Sequence, residues 1–99
     1  MDELAQKVLE WAGNKGILEK ATPSSQFEKT MEEVGELARY LIEDNQAEVE
    51  DAIGDIIVTL IILAELRGTS VQDCLQGAYD VIAKRKGSMI NGVFVKQGE

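Results

Sequence analysis

Histidine is absent from this chain of 99 residues, and cysteine and proline each occur only once. Without histidine, the usual zinc sites and the Glu-x-x-His pairs of di-iron bundles are excluded. Serine and cysteine nucleophiles lack their histidine base, and no Gly-x-x-x-x-Gly-Lys phosphate loop is present. The single Cys74 excludes an internal disulfide and is compatible with a reducing cytoplasm. We interpret it as a small buried hydrophobe.

Long apolar segments and an excess of basic residues are also missing. The longest apolar run, residues 56–64 with one threonine inside it, is far shorter than the roughly 20 residues that a membrane-spanning helix needs. Residues 1–20 lack a basic start followed by an apolar stretch, so we expect no signal peptide and a cytoplasmic location. The net charge of −8 disfavours nonspecific binding to nucleic acid or anionic lipid.

The length and the apolar fraction of 44% predict one globular domain, residues 1–99. Helical periodicity and turn residues divide it into four helices and a short extended tail at residues 92–96. The helices are expected from Asp2, as an N-cap, to about Ala12, from Ser25 to about Ile42, from about Gln46 to Arg67, and from Thr69 to about Lys86. Residues 17–24 are expected to form a loop. The predicted fold class is therefore all-α, a four-helix bundle-like domain with an extended C-terminal tail.

Two capping boxes support these boundaries, Ser25 with Glu28 and Thr69 with Gln72. The second helix has an apolar face at helical spacing, formed by Phe27, Met31, Val34, Leu37, Ala38 and Leu41. The third helix is apolar on all sides over residues 56–63, so it must be covered on every side. Three short helices cannot cover it fully. We therefore expect a homodimer or homotetramer, in which the tail packs on a neighbouring copy.

Two acidic clusters, at residues 32–36 and 51–55, are the most informative feature of the chain. Ten of the 18 acidic residues fall within residues 28–55. Because a helix advances about 100° per residue, the side chains of Glu32, Glu33 and Glu36 share one stripe of the second helix.

On the third helix, Asp51 and Asp55 are about 40° apart, and Glu48 lies on the same side. A short turn joins the two helices, so they are expected to pack antiparallel and to bring both stripes together. Asp55 directly precedes the apolar residues 56–58, where a carboxylate is expensive to bury unless it is paired or bound to a metal ion.

The spacing alone leaves two interpretations open. Acidic residues on a helix usually form a solvated face. Alternatively, a divalent cation relieves the repulsion among the carboxylates, and oxygen ligands of this kind suit Mg²⁺, Mn²⁺ or Ca²⁺. Gly35 and Gly54 each precede a candidate ligand, and we expect them to allow a close approach of the helices. The alternative is a tolerated flaw that costs about 1 kcal/mol at each position.

Three segments together resemble the MazG-like family of nucleoside triphosphate pyrophosphohydrolases. They are Gln26-x-x-Lys29-x-x-Glu32-Glu33-x-Gly35-Glu36-Leu37, Asp51-x-Ile53-Gly54-Asp55 and, after a basic helix end, Asn91-Gly92-Val93-Phe94-Val95-Lys96. The resemblance covers roughly residues 23–96. It implies an all-α bundle, usually dimeric or tetrameric, that hydrolyses nucleoside triphosphates to monophosphate and pyrophosphate with Mg²⁺. The family pattern Glu-Glu-x-x-Glu matches in full, whereas the Glu-x-x-Asp that follows departs because Ala52 occupies its glutamate position.

The resemblance also implies roles for individual residues. The expected metal ligands are Glu33, Glu36, Asp51 and Asp55, with Glu48 as the alternative to Asp51. Glu32 is expected to orient or deprotonate the attacking water. Lys29, Lys84, Arg85, Lys86 and Asn91 are expected to bind the substrate phosphates, although interaction with the helix dipole explains the basic triplet equally well. Trp11 is expected to pack in the core, with stacking on a nucleobase as the alternative.

The chain is therefore predicted to be a pyrophosphohydrolase that requires Mg²⁺, with Mn²⁺ as a substitute. A phosphoribosyl-ATP substrate is a variant of the same function. The alternative is a non-catalytic helical dimer that acts as an interaction or regulatory module, its acidic stripe being a solvated surface. Thermal melting with and without Mg²⁺ separates the two, because an ion that binds the native state stabilises it.

Overall fold

The structure, a computed structural model, describes residues 2–98 and the side chains of residues 3–98. Its elements in chain order are α1 (Asp2–Asn14), α2 (Ile17–Lys20), α3 (Pro23–Ile42), α4 (Gln46–Leu66), α5 (Val71–Ile82), β1 (Gly87–Ile90) and β2 (Val93–Lys96). The mostly helical fold class is confirmed. The capping role expected for Asp2 depends on a side chain outside the described set. Within residues 2–98, no helix is both long enough and apolar enough to cross a bilayer.

The start of α3 differs from the prediction. The Thr22 hydroxyl oxygen accepts a hydrogen bond from the Ser25 backbone N–H at 3.1 Å, and Ser25 Oγ accepts one from the Thr22 N–H at 2.9 Å. Pro23 occupies the first helical position, where its missing N–H leaves no bond unmade. The capping box is therefore Thr22 with Ser25, and the predicted pairing of Ser25 with Glu28 is wrong. The expected loop at residues 17–24 is wrong in part, because it contains α2.

The boundaries of α4 and α5 follow local signals as well. The Asn45 side chain accepts a hydrogen bond from the Glu48 N–H at 3.3 Å and begins α4, and Gly68 ends it with a φ of 75°. Ser70, not Thr69, caps α5, because its hydroxyl oxygen accepts from the Asp73 N–H at 3.1 Å. This helix ends at Ile82, four residues before the predicted end.

The chain beyond α5 forms a hairpin instead of a lone extended tail. Residues 87–90 and 93–96 pair antiparallel, with Ile90 opposite Val93. Asn91 and Gly92 form the turn with φ values of 52° and 81°, the left-handed pair that a two-residue hairpin turn requires. We refer to α5 and the hairpin, residues 71–96, as the C-terminal arm.

A buried polar contact joins α3 to α4. The Gln26 side-chain amide donates to the Thr59 carbonyl at 3.2 Å, and the hydroxyl oxygens of Thr30 and Thr59 lie 2.9 Å apart. Together with the three-residue turn between the helices, these bonds confirm the antiparallel pairing. The α3 residues that face α4 are therefore Gln26, Thr30 and Glu33, not the apolar face identified in the sequence.

That apolar face of α3 points away from the core. Phe27, Met31 and Val34 are 54%, 56% and 43% exposed. The core is built around α4, whose Ala52, Ile61 and Ile62 are buried, and α1 packs across it with Ala12 fully buried. Among the described residues, no large side chain is completely enclosed. The chain therefore leaves much of its apolar surface open.

The C-terminal arm contributes most of the remaining exposed surface. Within α5 only Val71 is half-buried, and every residue of both strands is exposed. Cys74 is exposed too, so the expectation that it is a buried hydrophobe is wrong. The reason is that α5 has only a small contact with α4, near its own first turn.

Candidate active site

Glu33 is the acidic side chain that the helix pair buries. The residue is 8% exposed, and its Oε2 atom is enclosed without any hydrogen-bond partner among the described residues. Its Oε1 lies 3.6 Å from Lys29 Nζ. Burial raises the pKa of Glu33, and the negative charges of Glu36 and then Asp55 raise it further, against the opposing effect of Lys29. A carboxylate in this position is costly as a bare anion, so the site favours an added cation.

The other expected ligands differ from Glu33 in how far their side chains are exposed to solvent. Glu36 is half-buried, whereas Asp51 and Asp55 are exposed. The acidic groups that act on the Glu33 carboxylate are those of Glu36 and Asp55, one from each helix. The structure thus brings Glu33, Glu36 and Asp55 into one electrostatic neighbourhood.

A complete ligand set is not preformed. Across residues 3–98, no three Asp, Glu or Cys side chains lie close enough together to hold a metal ion as they stand. Glu48 is half-buried beside the Asn45 cap, and neither it nor Asp51 is among the groups that act on Glu33. The assignment of Glu33, Glu36, Asp51 and Asp55 as ligands therefore stays a prediction.

The donor chemistry of this neighbourhood nevertheless fits a hard divalent cation. The orphaned Oε2 of Glu33 is an acceptor without a donor, and Glu36 and Asp55 offer only carboxylate oxygens. Mg²⁺ and Mn²⁺ prefer oxygen ligands of this type. Such an ion would offset the repulsion that raises the pKa of Glu33.

Lys29 and Glu32 lie at the solvent edge of the same stripe. Lys29 Nζ is 3.5 Å from Glu32 Oε1, and the Glu32 side chain is 62% exposed. The negative charge of Glu32 is the main cause of the raised pKa of Lys29. The structure therefore places a cation and a solvent-facing carboxylate beside Glu33. The roles expected for Lys29 and Glu32 stay predictions.

The remaining phosphate-binding candidates lie elsewhere, on the C-terminal arm. Lys84, Arg85 and Lys86 follow the end of α5, and Asn91 forms the hairpin turn. The helix that α5 contacts is α4, and the two strands pack on each other. Within a single chain, the structure does not bring these four residues to the α3 carboxylates. Their roles stay predictions.

Two interpretations of the sequence near this site need correction. A Cβ atom added to Gly35 or Gly54 would meet nothing within 4 Å, so the close helix approach expected at these glycines is wrong. Trp11 is 49% exposed and does not pack in the core. It instead lines a groove that also includes Asp55. In the sequence, this groove is indicated by residues 4, 7, 8 and 11, whose spacing places them on one face of α1.

Comparisons with known proteins identify the family of the segment that contains α3 and α4. The MazG nucleotide pyrophosphohydrolase domain model matches residues 21–89, which include both acidic clusters. An uncharacterized 18.2 kDa protein in the rep-hol intergenic region of Haemophilus phage HP1 (strain HP1c1) is 35% identical over 65 residues, 66% of this chain. The chain spans only 40% of that relative's length. No solved structure matches the chain. The chain belongs to the MazG nucleotide pyrophosphohydrolase domain family.

Proposed function

We propose that this protein is a metal-dependent nucleotide pyrophosphohydrolase that cleaves nucleoside triphosphates to monophosphate and pyrophosphate. The observation that carries the proposal is the Glu33 carboxylate, which is buried with an unpartnered oxygen and is repelled by Glu36 and Asp55. An isolated structural helix pair gains nothing from this arrangement, whereas a site that binds a cation does. Membership of the family supports the same activity.

Glu33, Glu36 and Asp55 would hold Mg²⁺ or Mn²⁺, with Asp51 as the fourth candidate. When bound, the ion supplies stabilisation of the negative charge that develops on the phosphate oxygens. Lys29 lies 3.5 Å from Glu32 and 3.6 Å from Glu33, which supports a role in binding a substrate phosphate at the edge of the site.

Glu32 is the residue that we assign to act on water. Its exposed carboxylate would accept a proton from a water molecule while the water oxygen forms a bond to the α-phosphorus. The bond from that phosphorus to the bridging oxygen breaks, and pyrophosphate leaves with the bonding electron pair. The proton held on Glu32 then returns to solvent, so the carboxylate is regenerated.

We further propose that the active form is a homodimer or homotetramer. A compact monomer of this mass exposes about 5,600 Å², whereas this chain exposes 7538 Å². Its radius of gyration of 16.1 Å likewise exceeds the roughly 13 Å of a compact 100-residue domain. The excess area of about 2,000 Å² is the size of one protomer's share in a large obligate interface.

The faces that such an interface would cover are apolar. They are the outer face of α3 (Phe27, Met31, Val34 and Leu41) and the C-terminal arm (Leu75, Tyr79, Ile82 and Phe94), all of them exposed. In the assembly, the arm of one copy can lie against the carboxylates of another. Lys84, Arg85, Lys86 and Asn91 would then reach the phosphates that they cannot reach within one chain.

The test is a pyrophosphate-release assay over the common nucleoside triphosphates with Mg²⁺, Mn²⁺ or a chelator. Turnover should require the metal, and Asp55→Asn should lower it by about 100-fold or more, as expected when one charge-stabilising group is lost. Glu50→Gln is the matched control, because Glu50 is exposed on the same helix and only accepts a hydrogen bond from Gln46 at 3.0 Å. Comparing Asp51→Asn with Glu48→Gln identifies the further ligand.

Two results would contradict the proposal. One is full activity in Asp55→Asn, which would remove that carboxylate from the site. The other is the lack of any metal-dependent pyrophosphate release in a correctly folded, oligomeric sample. In that case the chain is a non-catalytic helical module with a solvated acidic face.

A further inference from the structure

A groove between α1 and α4 lies beside the carboxylates, and Asp55 is its one lining residue that has a part in the mechanism above. It is open to solvent, has a volume of about 370 Å³ and is lined by Leu4, Lys7, Val8 and Trp11 of α1 and by Asp55 and Val58 of α4. The four α1 residues follow the i, i+3, i+4, i+7 spacing of a single helix face. The family match begins at residue 21, so α1 and its tryptophan lie outside the matched segment.

We propose that this groove binds the nucleobase of the substrate, with the Trp11 indole stacked on the base. The proposal rests on the pyrophosphohydrolase function, because Asp55 belongs both to the groove and to the carboxylate neighbourhood of Glu33. One nucleotide can therefore place its phosphates at the acidic site and its base in the adjoining groove. The groove thus adds a base-binding site to the phosphate chemistry.

The size and lining of the groove suit a flat heteroaromatic ring. Its volume falls within the range of small-ligand pockets. Leu4, Val8 and Val58 supply apolar walls, and an aromatic face stacks on any of the bases because every base has a π-face. Trp11 is 49% exposed and Leu4 is 68% exposed, so a stacked base would cover apolar surface that now faces water.

Lys7 gives the groove one polar edge. The ion pairs that form among the described side chains are Lys29 with Glu32, Lys29 with Glu33, and Arg39 with Glu43, so Lys7 is not committed to a carboxylate there. A lysine ammonium only donates hydrogen bonds, and all bases carry ring-nitrogen or carbonyl acceptors on their edges. A purely apolar occupant would leave this ammonium against a hydrophobic surface. The charged edge and the shared Asp55 therefore suit a base, and occupation by a second copy is an outcome that the experiments below detect.

Trp11 is the only tryptophan in the chain, so its fluorescence reports on this groove directly. The probes are α,β-methylene nucleoside triphosphates, which cannot be cleaved at the scissile bond, and tripolyphosphate, which has no base, each with Mg²⁺. The nucleotide analogues should quench the fluorescence saturably. Tripolyphosphate should raise the melting temperature but leave the fluorescence unchanged.

Kinetics of Trp11 variants provide a second readout. Trp11→Ala should raise KM for nucleoside triphosphates roughly 5- to 150-fold, the equivalent of the loss of one stacked base. Its inhibition constant for tripolyphosphate should stay unchanged, and Trp11→Phe should restore much of the affinity. Glu10→Ala, at an exposed neighbouring position outside the groove, should leave KM at the wild-type value.

Several outcomes would overturn the inference. Equal weakening of nucleotide and tripolyphosphate binding in Trp11→Ala would mean that the residue supports the site as a whole. A fluorescence that changes with protein concentration but not with nucleotide would mean that a second copy covers the groove. Failure of the proposed function gives a different pattern. Saturable quenching without any pyrophosphate release would support the base-binding site and contradict the proposed catalysis.

Discussion

The hydroxyl groups of Thr30 and Thr59 share a hydrogen bond of 2.9 Å across the buried contact between α3 and α4. Thr59 donates its hydroxyl hydrogen to the Ile56 carbonyl at 2.7 Å, so Thr30 is the donor in the bond between the helices. The Thr30 hydroxyl also lies 3.1 Å from the Gln26 carbonyl, which shares its hydrogen. Glu33 stands one turn beyond Thr30, and Asp55 stands one turn before Thr59. The threonine pair therefore fixes the register that places the two carboxylates near each other.

Removing this bond should destabilise the chain in a characteristic, non-additive way. Thr30→Val or Thr59→Val alone removes the bond between the helices, while the remaining hydroxyl keeps its backbone acceptor, the Ile56 carbonyl for Thr59 and the Gln26 carbonyl for Thr30. Each variant should therefore lower the free energy of unfolding by about 1 kcal/mol, the net value of one hydrogen bond. The double variant should cost less than the sum, because both polar groups are then gone. Urea unfolding of the four proteins measures the coupling. Strict additivity would show that the hydroxyls do not interact.

Neutralising the buried carboxylate should stabilise the metal-free protein. Glu33→Gln removes an anion that is buried and repelled by Glu36 and Asp55, so the metal-free melting temperature should rise. A gain of about 1 kcal/mol corresponds to roughly 4–8 °C for a domain of this size. The same variant should lose the stabilisation by Mg²⁺, because the ion has lost a ligand.

Scanning calorimetry with chelator and then with millimolar Mg²⁺ provides the metal-free melting temperature and its increase on metal binding. Glu28→Gln is the matched control, since Glu28 is exposed on the same helix and should change neither value by much. A lower metal-free melting temperature in Glu33→Gln would show that Lys29 stabilises the anion more than burial and repulsion destabilise it.

The stability of the metal-free protein should depend on pH through Glu33. Its pKa in the folded protein is raised above the ordinary 4.5, so the folded state binds this proton more tightly than the unfolded state. The resulting stability is fully present below about pH 4.5 and is lost as the pH rises through the raised pKa. Compared with Glu33→Gln, the wild type should therefore lose stability from pH 4.5 to neutrality in urea titrations with chelator.

Metal binding should show the opposite trend over the same interval. The ion needs an ionised carboxylate, so the stabilisation by Mg²⁺ should grow as Glu33 loses its proton. If the difference between wild type and Glu33→Gln is constant with pH, then Glu33 does not titrate in this interval.

Charging the exposed face of the C-terminal arm should dissociate the proposed assembly. Ile82 and Phe94 are 53% and 47% exposed in the single chain, and an interface would bury them. Sedimentation at micromolar concentration should show a dimer or tetramer for the wild type and a smaller species for Ile82→Glu, with lower melting temperature and activity. Gln97→Glu is the control, because it adds the same charge at an exposed polar position just beyond the hairpin. A monomeric wild type would contradict the proposal.

Local sequence signals predicted much of the fold because helix limits depend on neighbouring residues. The left-handed Gly68 that follows α4, the turn before Gln46 and the end of α3 at Ile42 all lie where the sequence places them. The start of α3 is harder to predict, because the pairs Thr22 with Ser25 and Ser25 with Glu28 both have capping-box spacing. Pro23 favours the first pair, since a proline is well suited to the first helical position.

The hairpin does not follow from the sequence analysis, for a different reason. The sequence predicts an extended segment at residues 92–96 without a partner strand, and in the structure the partner is the four residues just before the Asn91–Gly92 turn. Periodicity over so short a segment does not separate the end of a helix from a strand, whereas the two left-handed residues identify the turn.

The sequence by itself determined where the helices run and that two acidic stripes lie on neighbouring helices, because spacing along a helix fixes which side chains share a face. Only the tertiary structure decided which face of α3 is buried. The apolar face of Phe27 and Met31 is open, and the face of Gln26, Thr30 and Glu33 packs on α4. That choice depends on hydrogen bonds between residues about 30 positions apart and on surfaces left for another copy, neither of which is encoded in local periodicity.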